Sequence, residues 1–225
     1  MNALTAEHDD TPADPVTSTP TSLLDTSVLT RSAEHLAQRY AGHLSPETVE
    51  RYVFESYTTL SRTARVRTHL TSLATHFADT RLRALALAEG KIASTVPQVL
   101  FVCVQNSGRS QIAAALLTAL GGDGVEVRSA GSLPASDIHP LVHDVLAERG
   151  IALENAFPKP LTDDVVRASD YVITMGCGDA CPIYPGKHYL DWDLADPAEA
   201  DLDGVRAITA EIDGHVQELW ARMQA

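Results

Sequence analysis

Between residue 23 and about residue 95 the apolar positions recur at helical spacing. Ala33, Leu36, Ala37 and Tyr40 fall at i, i+3, i+4 and i+7. The stretch "SPETVERYVFESYTTL" predicts a second helix, with Ser45 as N-cap and Pro46 at the first helical position. Val49, Tyr52, Val53 and Leu60 share one face of it. A third helix carries Leu70, Leu73, Ala74 and Phe77, runs on towards Leu85 and stops near Gly90. The pattern predicts a small three-helix all-α domain over residues 23–95. No motif within it carries chemistry, so it reads as a structural or interaction module. Residues 1–22, rich in Thr, Pro and Asp and poor in apolar side chains, read as a disordered tail.

After "STVPQ" the period changes. "VLFVCV" is a short continuous apolar run, as expected of a strand buried on both faces of a parallel sheet. Ile112, Ala115, Leu116, Ala119 and Leu120 then trace a helix face that ends at Gly121-Gly122. "VEVRSAGS" predicts a strand, "HPLVHDVLAERG" a helix, "TDDVVRASD" a short helix, "YVITMG" a strand and "HYLDWDL" a last strand. Residues 203–223 form a long helix with Val205, Ile208, Ile212, Val216, Leu219 and Met223 inward. Alternation of this kind over 96–225 predicts an α/β domain, a four-stranded parallel open sheet with helices on both faces.

Charge narrows the partners. The chain of 225 residues has a formal net charge of −13. Residues 1–96 hold 9 Lys and Arg against 11 Asp and Glu, whereas 97–225 hold 8 against 19. An acidic field of that breadth argues against nucleic acid and anionic lipid as partners, and any anionic substrate must be drawn in by a local site. Three cysteines are too few for a disulfide scaffold. The opening residues lack a basic start followed by an apolar core. No apolar run approaches the roughly 18 residues that span a bilayer. These features predict a cytoplasmic protein with reduced thiols.

Candidate chemistry begins at Cys103. It ends the first strand of the sheet, and Arg109 stands six residues on, opening a helix. Ligands of open α/β sheets bind beyond the carboxyl ends of the strands, where this loop lies. Its backbone N–H groups, from Gln105, Asn106, Ser107, Gly108, Arg109 and Ser110, are expected to curl round a tetrahedral oxyanion at a positive helix end. Gly108 lets the chain turn inward, and Arg109 supplies a bidentate clamp. The same field holds the Cys103 sulfur as thiolate, the form that attacks. Cys177 and Cys181, in "MGCGDACP", follow the strand "YVITM" at the same sheet edge. On spacing alone this C-x3-C is open to three readings: a thiol pair, small buried residues, or half a zinc site with His188 as the nearby further ligand.

"VLFVCVQNSGRSQ" resembles the anion loop of the low-molecular-weight protein tyrosine phosphatases, and the resemblance runs through "SAGSLPA", "HPLV" and "LDWDLADPAEA". It implies Cys103 as nucleophile and, from the Asp-Pro pair, Asp196 as general acid. Tyrosine phosphatases of this fold usually carry a tyrosine pair after Asp-Pro, where this chain has "AEA", and their loop typically ends Arg-Ser-Pro. Arg109-Ser110-Gln111 is instead similar to the thioredoxin-coupled arsenate reductases that share the fold. That likeness implies arsenate (or phosphate or sulfate as mimic) in the loop and a relay from Cys103 to Cys177 to Cys181. Thioredoxin or a low-molecular-weight thiol would be the reductant. Some relatives bind potassium through a glutamate on the first helix; "QIAAALL" offers none, so no metal and no cofactor are expected. Gln105 stands where glycine is usual, and Gly108 where many relatives carry a cysteine. A phosphatase acting through a phosphocysteine is the alternative, and a non-catalytic oxyanion sensor a third reading. His139 and His143 read as a helix start and a surface histidine, and Asp191, Asp193, Asp201 and Asp203 as a solvated acidic surface.

Overall fold

The computed structural model describes residues 23–64, 68–153, 156–176 and 181–225. The expected tail over 1–22 lies outside the described residues, as does Cys177. Three helices lead the chain, α1 (Leu23–Arg39), α2 (Pro46–Ser61) and α3 (Leu70–Ala88). Ser45 caps α2 as its residue type predicts, its hydroxyl accepting from the Thr48 N–H at 3.2 Å, with Pro46 in the first turn. Leu29, Leu36, Val49, Val53, Leu60, Phe77 and Leu82 form a core of their own between these helices.

The sheet that follows has four parallel strands: β1 (Gln98–Cys103), β2 (Glu126–Gly131), β3 (Tyr171–Met175) and β4 (His188–Asp191), in the order β2-β1-β3-β4. Helices α4 (Arg109–Gly121), α5 (Pro140–Glu148), α6 (Asp163–Ala168) and α7 (Leu202–Gln224) complete the chain. Strand alternation splits β1 between two cores. Val99, Phe101 and Cys103 face the cluster built with α4, α5 and α7, while Leu100 and Val102 face Val165, Val166 and Ala84.

Ala84 belongs to α3, so the leading helices do not stand apart from the sheet. The last turns of α3 lie beside α6 on one sheet face, and the small Ala84 side chain allows that approach. Polar side chains fix the contact. Buried Arg81 donates to Asp164 of α6 at 3.0 Å and to Ser56 at 3.3 Å, with its guanidinium 4.4 Å from the Tyr52 ring centre. Arg83 forks onto Glu126 at the start of β2, two bonds of 2.7 Å. Against the burial that pushes it up, Arg83 and Arg128 hold the Glu126 carboxyl below the usual carboxylate range.

One expected helix face is corrected. In α4 the inward side chains are Ile112, Ala113, Leu116 and Leu117, while Ala119 and Leu120 are exposed. "IAAALL" is apolar all round, so its periodicity does not fix the rotation; packing against the sheet and α7 does. Along α7 the inward set is as expected, except that Met223 is half-buried. Among the described residues no helix is long and apolar enough to cross a membrane.

Candidate active site

The order β2-β1-β3 places neighbours on both sides of β1, and chain crossovers leave it in opposite directions. That is the switch point at which open α/β sheets form a crevice. Cys103 ends β1 there, in register with Gly131 on one side and Met175 on the other. Cys177 follows two residues after Met175 in the sequence.

From Cys103 the chain turns through Asn106, whose φ of 49° lies in the left-handed region, into the first turn of α4. A non-glycine residue keeps that conformation only when its surroundings hold it. Here the Asn106 carboxamide is held on both atoms: Oδ1 accepts from the Lys159 N–H at 2.8 Å, and Nδ2 donates to Ser110 Oγ at 2.8 Å. Gln111 Nε2 lies 3.0 Å from the Asn106 carbonyl oxygen and 3.1 Å from its Oδ1. The loop is also backed by Gly131, where a Cβ would stand 2.7 Å from the Val104 carbonyl oxygen and 2.9 Å from Asn106 Cβ.

Two donors converge on the sulfur. The Asn106 N–H points at Cys103 Sγ from 3.2 Å, and Ser110 Oγ lies 2.9 Å away. Ser110 accepts from Asn106 Nδ2 through one lone pair, so its proton can be directed at the sulfur. Ser110 and Asn106, each fully buried, thus reach the sulfur in different ways, Ser110 through its hydroxyl and Asn106 through its backbone N–H, while the Asn106 carboxamide holds the loop. The Gln105 side chain is exposed, and its Oε1 accepts from the Ser107 hydroxyl at 3.3 Å. The Ser107 carbonyl in turn accepts from His139 at the start of α5, at 2.9 Å.

Arg109 reaches out of the first turn of α4 to the opposite rim. Its two terminal nitrogens donate to the Leu194 carbonyl at 3.1 Å and to Asp196 Oδ2 at 2.9 Å. Asp196 Oδ1 accepts from the Ala198 N–H, capping the 3-10 turn Pro197–Glu199. Pro197 packs on the anion loop: a Cβ on Gly108 would meet its Cγ at 3.1 Å. Any side chain at Gly108 would push Pro197 back by a few tenths of an ångström, a reason for glycine that the sequence could not supply. Gly176, at φ +71°, is the corresponding bare position at the end of β3, where a Cβ would stand 3.2 Å from an Arg109 nitrogen.

Cys181 is half-buried and packs with Tyr184 and Tyr189 on the α3/α6 side of the sheet, whereas Cys103 belongs to the α4/α7 side. Burial and the neighbouring Cys181 sulfur push the Tyr189 hydroxyl up. Among the described residues no group of three or more His, Cys, Asp or Glu is placed to hold a metal ion. His143 is exposed, and Asp191, Asp193, Asp201 and Asp203 lie on the surface, with Asp201 capping α7. Sequence reasoning missed Gln111 as a loop anchor, and it missed Phe157 and Lys159 entirely.

A buried strand that delivers a cysteine into a C-x5-R loop at a helix start, with an Asp-Pro turn closing on the arginine, defines a cysteine-dependent enzyme of oxyanion chemistry. The chain belongs to the family described as low molecular weight phosphotyrosine protein phosphatase, whose model matches residues 98–225. A second model, the N-terminal domain of protein-tyrosine-phosphatase-like proteins, matches 29–86. Among solved structures, the thioredoxin-dependent arsenate reductase of Corynebacterium glutamicum is 63% identical with a TM-score of 0.82, covering 88% of this chain and 98% of that one. A glutaredoxin arsenate reductase of Synechocystis sp. is 31% identical, over 56% of this chain and 98% of its own. The tyrosine phosphatase amsI of Erwinia amylovora is 26% identical with a TM-score of 0.53, over 59% of this chain and 97% of that one.

Proposed function

We propose that this protein reduces arsenate to arsenite. The observation that carries the reading is the preformed cradle at Cys103, with two donors on its sulfur and Arg109 across the rim, in a chain so similar to a thioredoxin-dependent arsenate reductase over nearly its full length. Arsenate sits among the N–H groups of residues 105–110 and under Arg109. The Cys103 thiolate attacks arsenic, forming a sulfur–arsenic bond as an oxygen leaves as water, with Asp196 the proton donor of this reading once it carries a proton and leaves Arg109. The Cys177 thiolate then attacks Cys103 sulfur. The sulfur–arsenic bond breaks, its electron pair stays on arsenic, and arsenite departs, leaving a Cys103–Cys177 disulfide. Cys181 displaces Cys103, and the Cys177–Cys181 disulfide goes to a reductant of the thioredoxin class, or to a low-molecular-weight thiol. Cys181 packs on the sheet face opposite Cys103, which is consistent with a relay that passes through Cys177. The reaction belongs in the cytoplasm, where such reductants are found.

One experiment tests the reading. Arsenate-dependent NADPH oxidation is followed with thioredoxin and its reductase, beside p-nitrophenyl phosphate hydrolysis. Turnover of arsenate is expected, and it should vanish in a Cys177→Ser, Cys181→Ser double variant. Full turnover by that variant would end the relay; strong phosphatase activity without arsenite would install the phosphatase alternative.

A further inference from the structure

Behind the anion loop, residues 156–159 form a strap with two attachments. On one side it holds the loop: the Lys159 N–H donates to Asn106 Oδ1 at 2.8 Å, and the Phe157 carbonyl accepts from Gln111 Nε2 at 3.0 Å. On the other, the Phe157 ring packs against the core of α1, α2 and α3. The Lys159 ammonium folds back onto the same strap. Its Nζ donates to the Phe157 carbonyl at 2.9 Å and lies 4.7 Å from the centre of that ring. One carbonyl oxygen therefore takes both the Lys159 ammonium and the Gln111 amide that pins left-handed Asn106. From the ammonium to the nucleophile the path is continuous: Lys159 Nζ, Phe157 O, Gln111 Nε2, Asn106, Ser110 Oγ, Cys103 Sγ.

We propose that Lys159 is a positioning residue for the Cys103 site, a built-in cation beneath the anion loop that the helical bundle seats through Phe157. It acts through two effects. Its ammonium anchors the Phe157 carbonyl, and with it the strap that holds Gln111 and Asn106 behind the loop, and its charge adds to the field favouring an anion in the cradle and a thiolate at Cys103. Burial in a cleft of about 620 Å³ between α3, α4 and β2 pulls the amine down to about 8. Among the described residues, the titratable groups facing that cleft are His76 and Asp79 of α3, and Asp79 is itself engaged by Arg39 and Tyr40. A lysine whose amine is lowered on folding costs stability at neutral pH. The folded protein gains stability as pH rises from about 8 towards the ordinary lysine value.

The idea rests on Cys103 as the nucleophile but not on arsenate turnover, so its readouts avoid arsenate. Cys103 alkylation by iodoacetamide, followed by peptide mass spectrometry, and inorganic phosphate affinity are measured on the full chain from pH 6.5 to 9.5. At pH 7, Lys159→Met should slow alkylation and weaken phosphate roughly five- to tenfold while melting no lower than the parent. Lys159→Arg should stay within about twofold of the parent. The parent should lose phosphate affinity as pH rises through about 8, a step absent from Lys159→Arg, which keeps its charge. Phe157→Ala should move both readouts in the same direction as Lys159→Met. Parent-like behaviour of Lys159→Met at pH 7 would overturn the proposal. So would Lys159→Arg failing as badly as Met, or superimposable pH profiles for the parent and Lys159→Arg. The last comparison decides the matter even if Lys159→Met does not fold.

Discussion

At the scale of single residues, the site divides its labour between backbone and side chains. The Asn106 backbone N–H and the Ser110 hydroxyl both reach the Cys103 sulfur, while the Asn106 carboxamide turns inward to hold the loop. Ser110 is the side chain that reaches the thiol, its fully buried hydroxyl also accepting from Asn106 Nδ2. Removing it deletes one donor to a charged sulfur and leaves Asn106 Nδ2 without an acceptor. Ser110→Ala should slow Cys103 alkylation at pH 7 about tenfold, the effect of a lost hydrogen bond to a charged group of about 1.5 kcal/mol. An unchanged rate would mean that the Asn106 N–H and the helix start suffice.

At the scale of elements, the loop works because three segments close round it with no room to spare. The end of β2 backs it at Gly131, the Asp-Pro turn closes on Gly108, and β3 ends beside Arg109 at Gly176. At Gly131 the neighbouring backbone comes too near for a Cβ, while at Gly108 and Gly176 the Pro197 and Arg109 side chains would have to give by a few tenths of an ångström. Gly131→Ala puts a methyl against the Val104 carbonyl, which accepts from the Leu133 N–H, and against Asn106, which the strap holds. It should cost about 2–3 kcal/mol of stability by overpacking, and abolish measurable phosphate binding because Asn106 must give way. A melting temperature and phosphate affinity equal to the parent's would show that the loop yields at this point. Helix α4 is instructive in another way. Its start was legible from C-x5-R, but its inward face was not, since six consecutive apolar residues carry no rotational information.

On the scale of the whole molecule, the leading helices and the sheet domain share a surface as well as a chain. Arg81, Asp164, Arg83 and Glu126 lock α3 across α6 and β2, and Ala84 sits in a core with Leu100 and Val102. The helical segment thus covers a face of the very strand that carries the nucleophile. Asp164→Ala strands the buried Arg81 guanidinium and should destabilise the protein by about 3 kcal/mol, measured by chemical denaturation. Arg81→Met with Asp164→Leu should restore much of that loss, because it removes both charges together. A destabilisation below about 0.5 kcal/mol for the single variant would mean that Glu55 and Ser56 already satisfy Arg81.

The sequence by itself determined the order of elements, the change of architecture after residue 95, and the placing of Cys103 at a strand end with Arg109 at the helix start that follows. Strand runs, helix spacing, a capping serine and C-x5-R are local signals, and local interactions enforce them. Even the C-x3-C pair was legible, though its meaning came from likeness to a family and not from spacing. Tertiary structure decided what no local signal encodes: that α3 covers the sheet, that Gly108 yields to Pro197, and that Asp196 sits on Arg109. It also brought Gln111, Phe157 and Lys159 behind the loop. In the sequence these are a helix residue, an apolar residue and a lone lysine, separated from Cys103 by up to 56 positions. The cause is the parallel sheet, whose crossovers bring distant segments to one edge, so the side chains that hold the loop in shape arrive from elements that sequence proximity does not connect.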